Sequence, residues 1–342
     1  PAYPKPQLGN HIPSYLTEDS INNSITNSLL RSIKNQVSKN PRKINILTKD
    51  FLDRLLELLW EFEIKEVNVN DINALGETLL ENLKSFKGVK EDFCNFFKII
   101  SSTEFDTEID SDLIIEFFEM ASKYKKPREQ QNSHNPYLYE NFSIIFQELF
   151  IYVISICLSN KNYRLIGDLV HKRYYFKDLY HQGTQKPKRY CQLYFKSEIL
   201  SKYNYISQKR YISIEGHYLT NNLVEKINKE DFILADTLLH YIGILFGDIN
   251  NDYKDKWFPH AYLYAKNRGE FVFFERFSSK MFFDKVKIIF DINKPEEFLA
   301  LIENYKNSID LNNDRERYSG GLGESIKFIF EVLPIDDFCS YK

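Results

Sequence analysis

The sequence predicts a mainly α protein, a multi-helix bundle with a small β-hairpin or sheet element in its C-terminal half. An α+β arrangement stays open. Three observations lead there. Apolar residues recur at three- and four-residue steps from Thr48 to about Tyr175, the period of one helix face. Glycine is scarce, 12 in 342 residues, against 28 Phe and 23 Tyr, so large rings must build the core. The stretch Phe142–Leu158 is apolar nearly throughout, which marks a buried central helix.

Residues 1–45 read as a linker or N-terminal extension. Pro1, Pro4, Pro6 and Pro13 interrupt the start, and no apolar h-region follows, so a signal peptide is not expected. Because the first residue is proline, either an initiator has been removed or the chain belongs to a longer protein. Residues 16–40 are polar and rich in Asn and Ser, weakly helical. Residues 46–135 form an acidic helical region. Thr48 reads as an N-cap, and Phe51, Leu52, Leu55, Leu56, Leu59 and Phe62 trace the first helix. Asp71–Phe86 repeats the pattern through Ile72, Leu75, Leu79 and Leu83. Glu91–Ile100 and Asp112–Lys125 follow, and Lys125–Tyr137, with two prolines, reads as a loop.

Residues 136–342 read as a basic helical region with a small sheet. Helices are expected over Asn141–Ser159, Asn162–Tyr175, Asp231–Phe246, Ser279–Phe290 and Pro295–Lys306. A Gly-rich turn at Ser319–Gly323 opens the last one. Tyr190–Lys196 and Arg210–Ile214 read as short strands, and Tyr262–Tyr264 with Glu270–Phe274 as a hairpin. Gln147 and Glu148 sit inside the 17-residue apolar stretch, so a core helix is expected there and no membrane span.

Charge is the most informative feature. The net formal charge of -3 excludes a histone-like or polyanionic chain, yet it hides a strong asymmetry. Asp50–Met120 holds 18 acidic and six basic residues, whereas Lys161–Tyr211 holds twelve basic and three acidic ones. Nine tyrosines interleave the basic segment. Lys and Arg neutralise phosphates, and rings offer faces on which unpaired bases stack. Lys172, Arg173, Lys186, Lys188, Arg189, Tyr190, Lys209 and Arg210 are therefore candidate contacts to RNA or single-stranded nucleic acid. The alternative is internal: the positive segment docks on the acidic helices, or on a second subunit, and its tyrosines are core.

Arg164-Leu-Ile-Gly-Asp-Leu-Val-His171 lies on a predicted helix, with Arg164, Asp168 and His171 on one face. The pair resembles the Arg-x(4–6)-His signature of the HEPN superfamily, helical metal-independent ribonucleases of bacterial toxin and defence systems. The resemblance covers one helix. It implies that His171 takes a proton from a ribose 2′-hydroxyl and that Arg164 stabilises charge on the phosphate. Asp168 could orient either. Sites of this family usually form in a dimer, so a homo-oligomer is expected. The competing class is a non-catalytic sensor or adaptor domain that mediates assembly within a larger protein.

No cofactor or metal is expected. Asp248-x-Asn250-x-Asp252 and Asp310-x-Asn312-x-Asp314 begin like calcium loops but lack the turn glycine and the bidentate Glu, so they read as surface turns. Asp236 and His240, four apart, read as a hydrogen-bonded pair on a helix surface. Ser319–Ser325 precedes a helix without the Lys-Ser/Thr ending of a P-loop. Cys94, Cys157, Cys191 and Cys339 form no C-x-x-C pair, which fits a reducing cytoplasm.

Overall fold

The computed structural model describes residues 43–65, 67–102, 109–128, 134–176, 187–247, 256–267, 270–309 and 326–341. The mainly α prediction holds. The helices are α1 (Ile44–Leu59), α2 (Ile72–Ser85), α3 (Lys87–Ile100), α4 (Ser111–Glu119), α5 (Glu140–Asn160), α6 (Tyr163–His171), α7 (Glu198–Ile206), α8 (Ile214–Asn221), α9 (Lys229–Leu245), α10 (Val272–Glu275), α11 (Lys280–Val286), α12 (Pro295–Ser308) and α13 (Ile329–Val332).

The long apolar helix α5 is the axis of the bundle. Every residue from Glu140 to Leu158 is buried, so it has no polar face to turn outward. It packs against α2, α3, α6 and α9, which brings the acidic and basic halves of the chain onto one continuous core. By length and composition the Pro136–Asn160 segment could cross a membrane, but 94% of its apolar window is buried by the surrounding protein.

Local chemistry sets most of the boundaries. Asp71 caps α2 by accepting from the amides of Asn73 and Ala74. Asn228 does the same for α9, and Ser213 and Ser197 cap α8 and α7. Thr48 departs from its expected role. Ile44 and Leu47 are apolar enough to bury, so α1 starts four residues earlier and Thr48 sits inside it, buried. Its hydroxyl finds no partner among the described residues.

The expected strands are corrected. Among the described residues there are two isolated bridges, Tyr174 with Lys188 and Ser279 with Tyr341, and no extended strand. Tyr190–Leu193 and His260–Tyr264 are 3-10 helices, and Phe271 caps α10, which takes up Val272–Glu275 where a hairpin arm was expected. Phe271, Phe274 and Phe277 are buried at three-residue steps, a helical spacing that a short apolar run does not advertise. At the proposed strand 210–214, Arg210 takes a left-handed φ of 54° and Ser213 is already the cap of α8. The helix expected over 162–175 stops at His171, after which Tyr174 enters its bridge with Lys188.

Candidate functional site

The turn that aims α6 is tight. Lys161 takes a left-handed φ of 59°, and Asn162 donates its amide to the Cys157 carbonyl, closing the end of α5. The Asn162 side chain then accepts from the Leu165 amide and starts α6. Leu165, Ile166, Leu169 and Val170 go to the core, which leaves Arg164, Asp168 and His171 along the polar edge.

Asp168 orients the arginine. Its Oδ2 lies 3.1 Å from Arg164 Nη1, with both side chains about 30% exposed. The same oxygen accepts from the Ser111 hydroxyl of α4 at 3.1 Å. Lys172 completes the seam, donating to Ser111 Oγ at 2.7 Å and to Asp112 Oδ1 at 2.8 Å. α4 of the acidic half and α6 of the basic half are thus joined by a polar chain of five residues.

His171 points elsewhere. Its Nε2 is 2.9 Å from the Ile289 carbonyl. A carbonyl only accepts, so Nε2 carries the proton and Nδ1 is the nitrogen with the lone pair. The ring meets Phe246 edge to face at 4.8 Å. Burial holds the imidazole below its ordinary pKa, partly offset by the bond to Ile289. Gly167 makes this packing accessible: a Cβ there would sit 2.6 Å from the Ile288 carbonyl oxygen.

The basic segment divides into committed and exposed groups. Tyr190 is fully buried and donates to the Leu239 carbonyl, so the ring expected to stack on a base is part of the core. Arg189 spreads its guanidinium over the Gly243 and Ile242 carbonyls, both at 3.3 Å, at the end of α9. Tyr174 is buried as well, its hydroxyl on Leu169 O at 2.7 Å. Arg173, Lys188, Lys209 and Arg210 are exposed. Lys188 is one partner of the bridge with Tyr174, and Arg173 precedes Tyr174 as Tyr175, 55% exposed, follows it. The other two lie on the α7–α8 turn, after Tyr205, which is in the last turn of α7 and 87% exposed. Lys186 lies outside the described residues, as do the two calcium-like loops and the Ser319–Ser325 turn.

Asp236 and His240 are corrected: they are buried in α9 and do not bond one another. Asp236 accepts from Trp257 Nε1 at 2.7 Å and from the Ala261 amide at 2.8 Å. His240 Nδ1 donates to the Trp257 carbonyl at 2.7 Å. Together they strap residues 257–261 onto α9. Among the described residues, no three His, Cys, Asp or Glu side chains converge as metal ligands.

A buried polar chain escaped the sequence reading. Tyr194 Oη lies 3.2 Å from His260 Nε2, His260 Nδ1 is 2.8 Å from Ser213 Oγ, and that hydroxyl is 3.4 Å from Glu215 Oε2. Its members span 67 positions, and no local spacing links them. No family model, curated protein or solved structure matches the chain.

Proposed function

We propose that this chain is a non-catalytic helical interaction module, a sensor or adaptor that self-associates within a larger assembly. One observation carries the reading: Asp168 and Lys172, the groups beside Arg164, are spent on joining the two charge halves. Asp168 serves Arg164 and Ser111, while Lys172 serves Ser111 and Asp112. Exposed apolar surface supplies a means of association. Met281 is 64% exposed and Ile288, two helical turns on, is 44% exposed. The test is light scattering on the purified chain without nucleic acid. Association gives multiples of 40.7 kDa that Met281→Asp with Ile288→Asp reduces. A mass of one chain at every concentration overturns the reading.

A second reading, a HEPN-like metal-independent ribonuclease of a toxin or defence system, is favoured by His171. A general base must be neutral, and burial keeps this imidazole so at pH 7. Its test is RNA cleavage in chelator: His171→Ala should abolish it without unfolding the protein. Alanine at the exposed Arg173 and Lys188 should weaken RNA binding and flatten its salt dependence. Cleavage by His171→Ala at the wild-type rate removes this reading.

A further inference from the structure

A cavity of about 60 Å³ lies where the 3-10 turn Met120–Lys125 faces α5 and the 3-10 turn Tyr190–Leu193. It belongs to neither reading above. Among the described residues, Lys125 is the one ionisable cation on its wall, and no carboxylate lines it. Lys125 makes no hydrogen bond or ion pair with any described residue, and it stands exposed at the mouth.

Ser143 is the second observation. It is 8% exposed, lines the cavity from α5, and its hydroxyl has no hydrogen-bond partner among the described residues. The hydroxyl is therefore open to a partner that enters the cavity. Ser122 adds a further hydroxyl, already donating to the Glu119 carbonyl and so free to accept only. Aromatic rings of Phe146, Phe176 and Tyr194 line the remainder. The walls are held in place: Tyr194 is bonded to His260, and the Phe195 amide to Gln147 Oε1 at 3.0 Å.

We propose that this cavity is a binding site for a small aliphatic carboxylate of two or three carbons, its oxygens on Lys125 Nζ and Ser143 Oγ and its short tail against the rings. One cation and one hydroxyl donor match a monoanion. A phosphate dianion would ask for more positive charge than one lysine offers. The cavity has room for several waters, enough for a carboxylate head and a short alkyl tail.

The experiment is a titration of the full chain with sodium propionate at fixed ionic strength, followed by calorimetry and by saturation transfer to the propionate protons. Sodium chloride and sodium phosphate run in parallel. The expected result is saturable one-to-one binding in the millimolar range, weakened about tenfold or more by Lys125→Met and also by Ser143→Ala. Lys125 is exposed and Ser143→Ala favours helix, so both variants should fold. Propionate indistinguishable from chloride overturns the site. So does unchanged affinity in Lys125→Met, and phosphate binding tighter than propionate overturns the carboxylate assignment. None of these outcomes depends on whether the chain self-associates or cleaves RNA.

Discussion

Lys90 Nζ of α3 lies 2.7 Å from Glu148 Oε1 of α5, and neither side chain has any solvent exposure. The ammonium has further acceptors in Tyr218 Oη at 3.2 Å and the Asn222 carbonyl at 3.3 Å. Tyr218 Oη is also 3.0 Å from Glu148 Oε2. Three helices, α3, α5 and α8, therefore meet at a satisfied ion pair in an apolar core. Breaking such a pair from one side leaves a buried charge alone. We expect Lys90→Met to cost about 3–5 kcal/mol, and Lys90→Met with Glu148→Leu to recover most of that loss. Denaturant midpoints for the two single variants and the double variant decide it; additive losses would contradict the coupling.

Gly167→Ala tests the contact between α6 and the 287–290 turn. The added methyl would meet backbone oxygen at 2.6 Å, which no side-chain rotation relieves. A loss of about 1–3 kcal/mol is expected, seen as a lower melting temperature. The His171 pKa, followed by NMR, should move back toward its ordinary value as the ring loosens from Ile289.

Asp236 and His240 should pull the stability curve in opposite directions with pH. Burial pushes the Asp236 carboxyl up to about 7, against the hydrogen bonds from Trp257 and Ala261. Between about pH 4 and 7 the folded state holds a proton that the unfolded state has lost, so this group's contribution falls as pH rises. Burial pulls His240 down to about 4. Between about pH 4 and 6.5 the unfolded state binds the extra proton, so its contribution rises with pH. Each slope approaches about 1.4 kcal/mol per pH unit. Relative to wild type, Asp236→Asn should therefore gain a rising slope and His240→Gln a falling one, in urea midpoints from pH 4 to 8.

Thiol labelling checks the packing of the core. Cys94, Cys157 and Cys191 are buried, whereas Cys339 is partly accessible. Burial raises the pKa of Cys94 far above its usual range and that of Cys339 more modestly. One thiol should react with Ellman's reagent in the native protein, slowly, and all four in denaturant. Cys339→Ser should abolish the native reaction.

Much of the fold is written locally. Leu75, Leu79 and Leu83 repeat at four-residue steps and Asp71 caps them, so α2 was legible within one residue at either end. The apolar run around Phe142–Leu158 announced the central helix. Glu148 within it, and Lys90 on the apolar face shared by Phe86, Phe93 and Phe97, were signals that a buried ion pair was waiting to be matched. The aromatic runs of the C-terminal half were misread as strands because four or five apolar residues fit both periods. The polar stripe of Arg164, Asp168 and His171 was also legible as a stripe.

The sequence by itself determined the helix periods, the caps, the central apolar helix and the opposition of charge between the halves, because each depends on neighbours a few residues apart. Tertiary structure alone decided that Asp168 also takes Ser111 while His171 turns to Ile289. It alone buried Tyr190, and it left Lys125 facing a cavity that no carboxylate lines among the described residues. Whether a charged or polar group is spent or available depends on which distant backbone and side chains surround it. Those partners lie 57 to 118 positions away in the cases of Asp168 and His171, a separation across which no local pattern carries information.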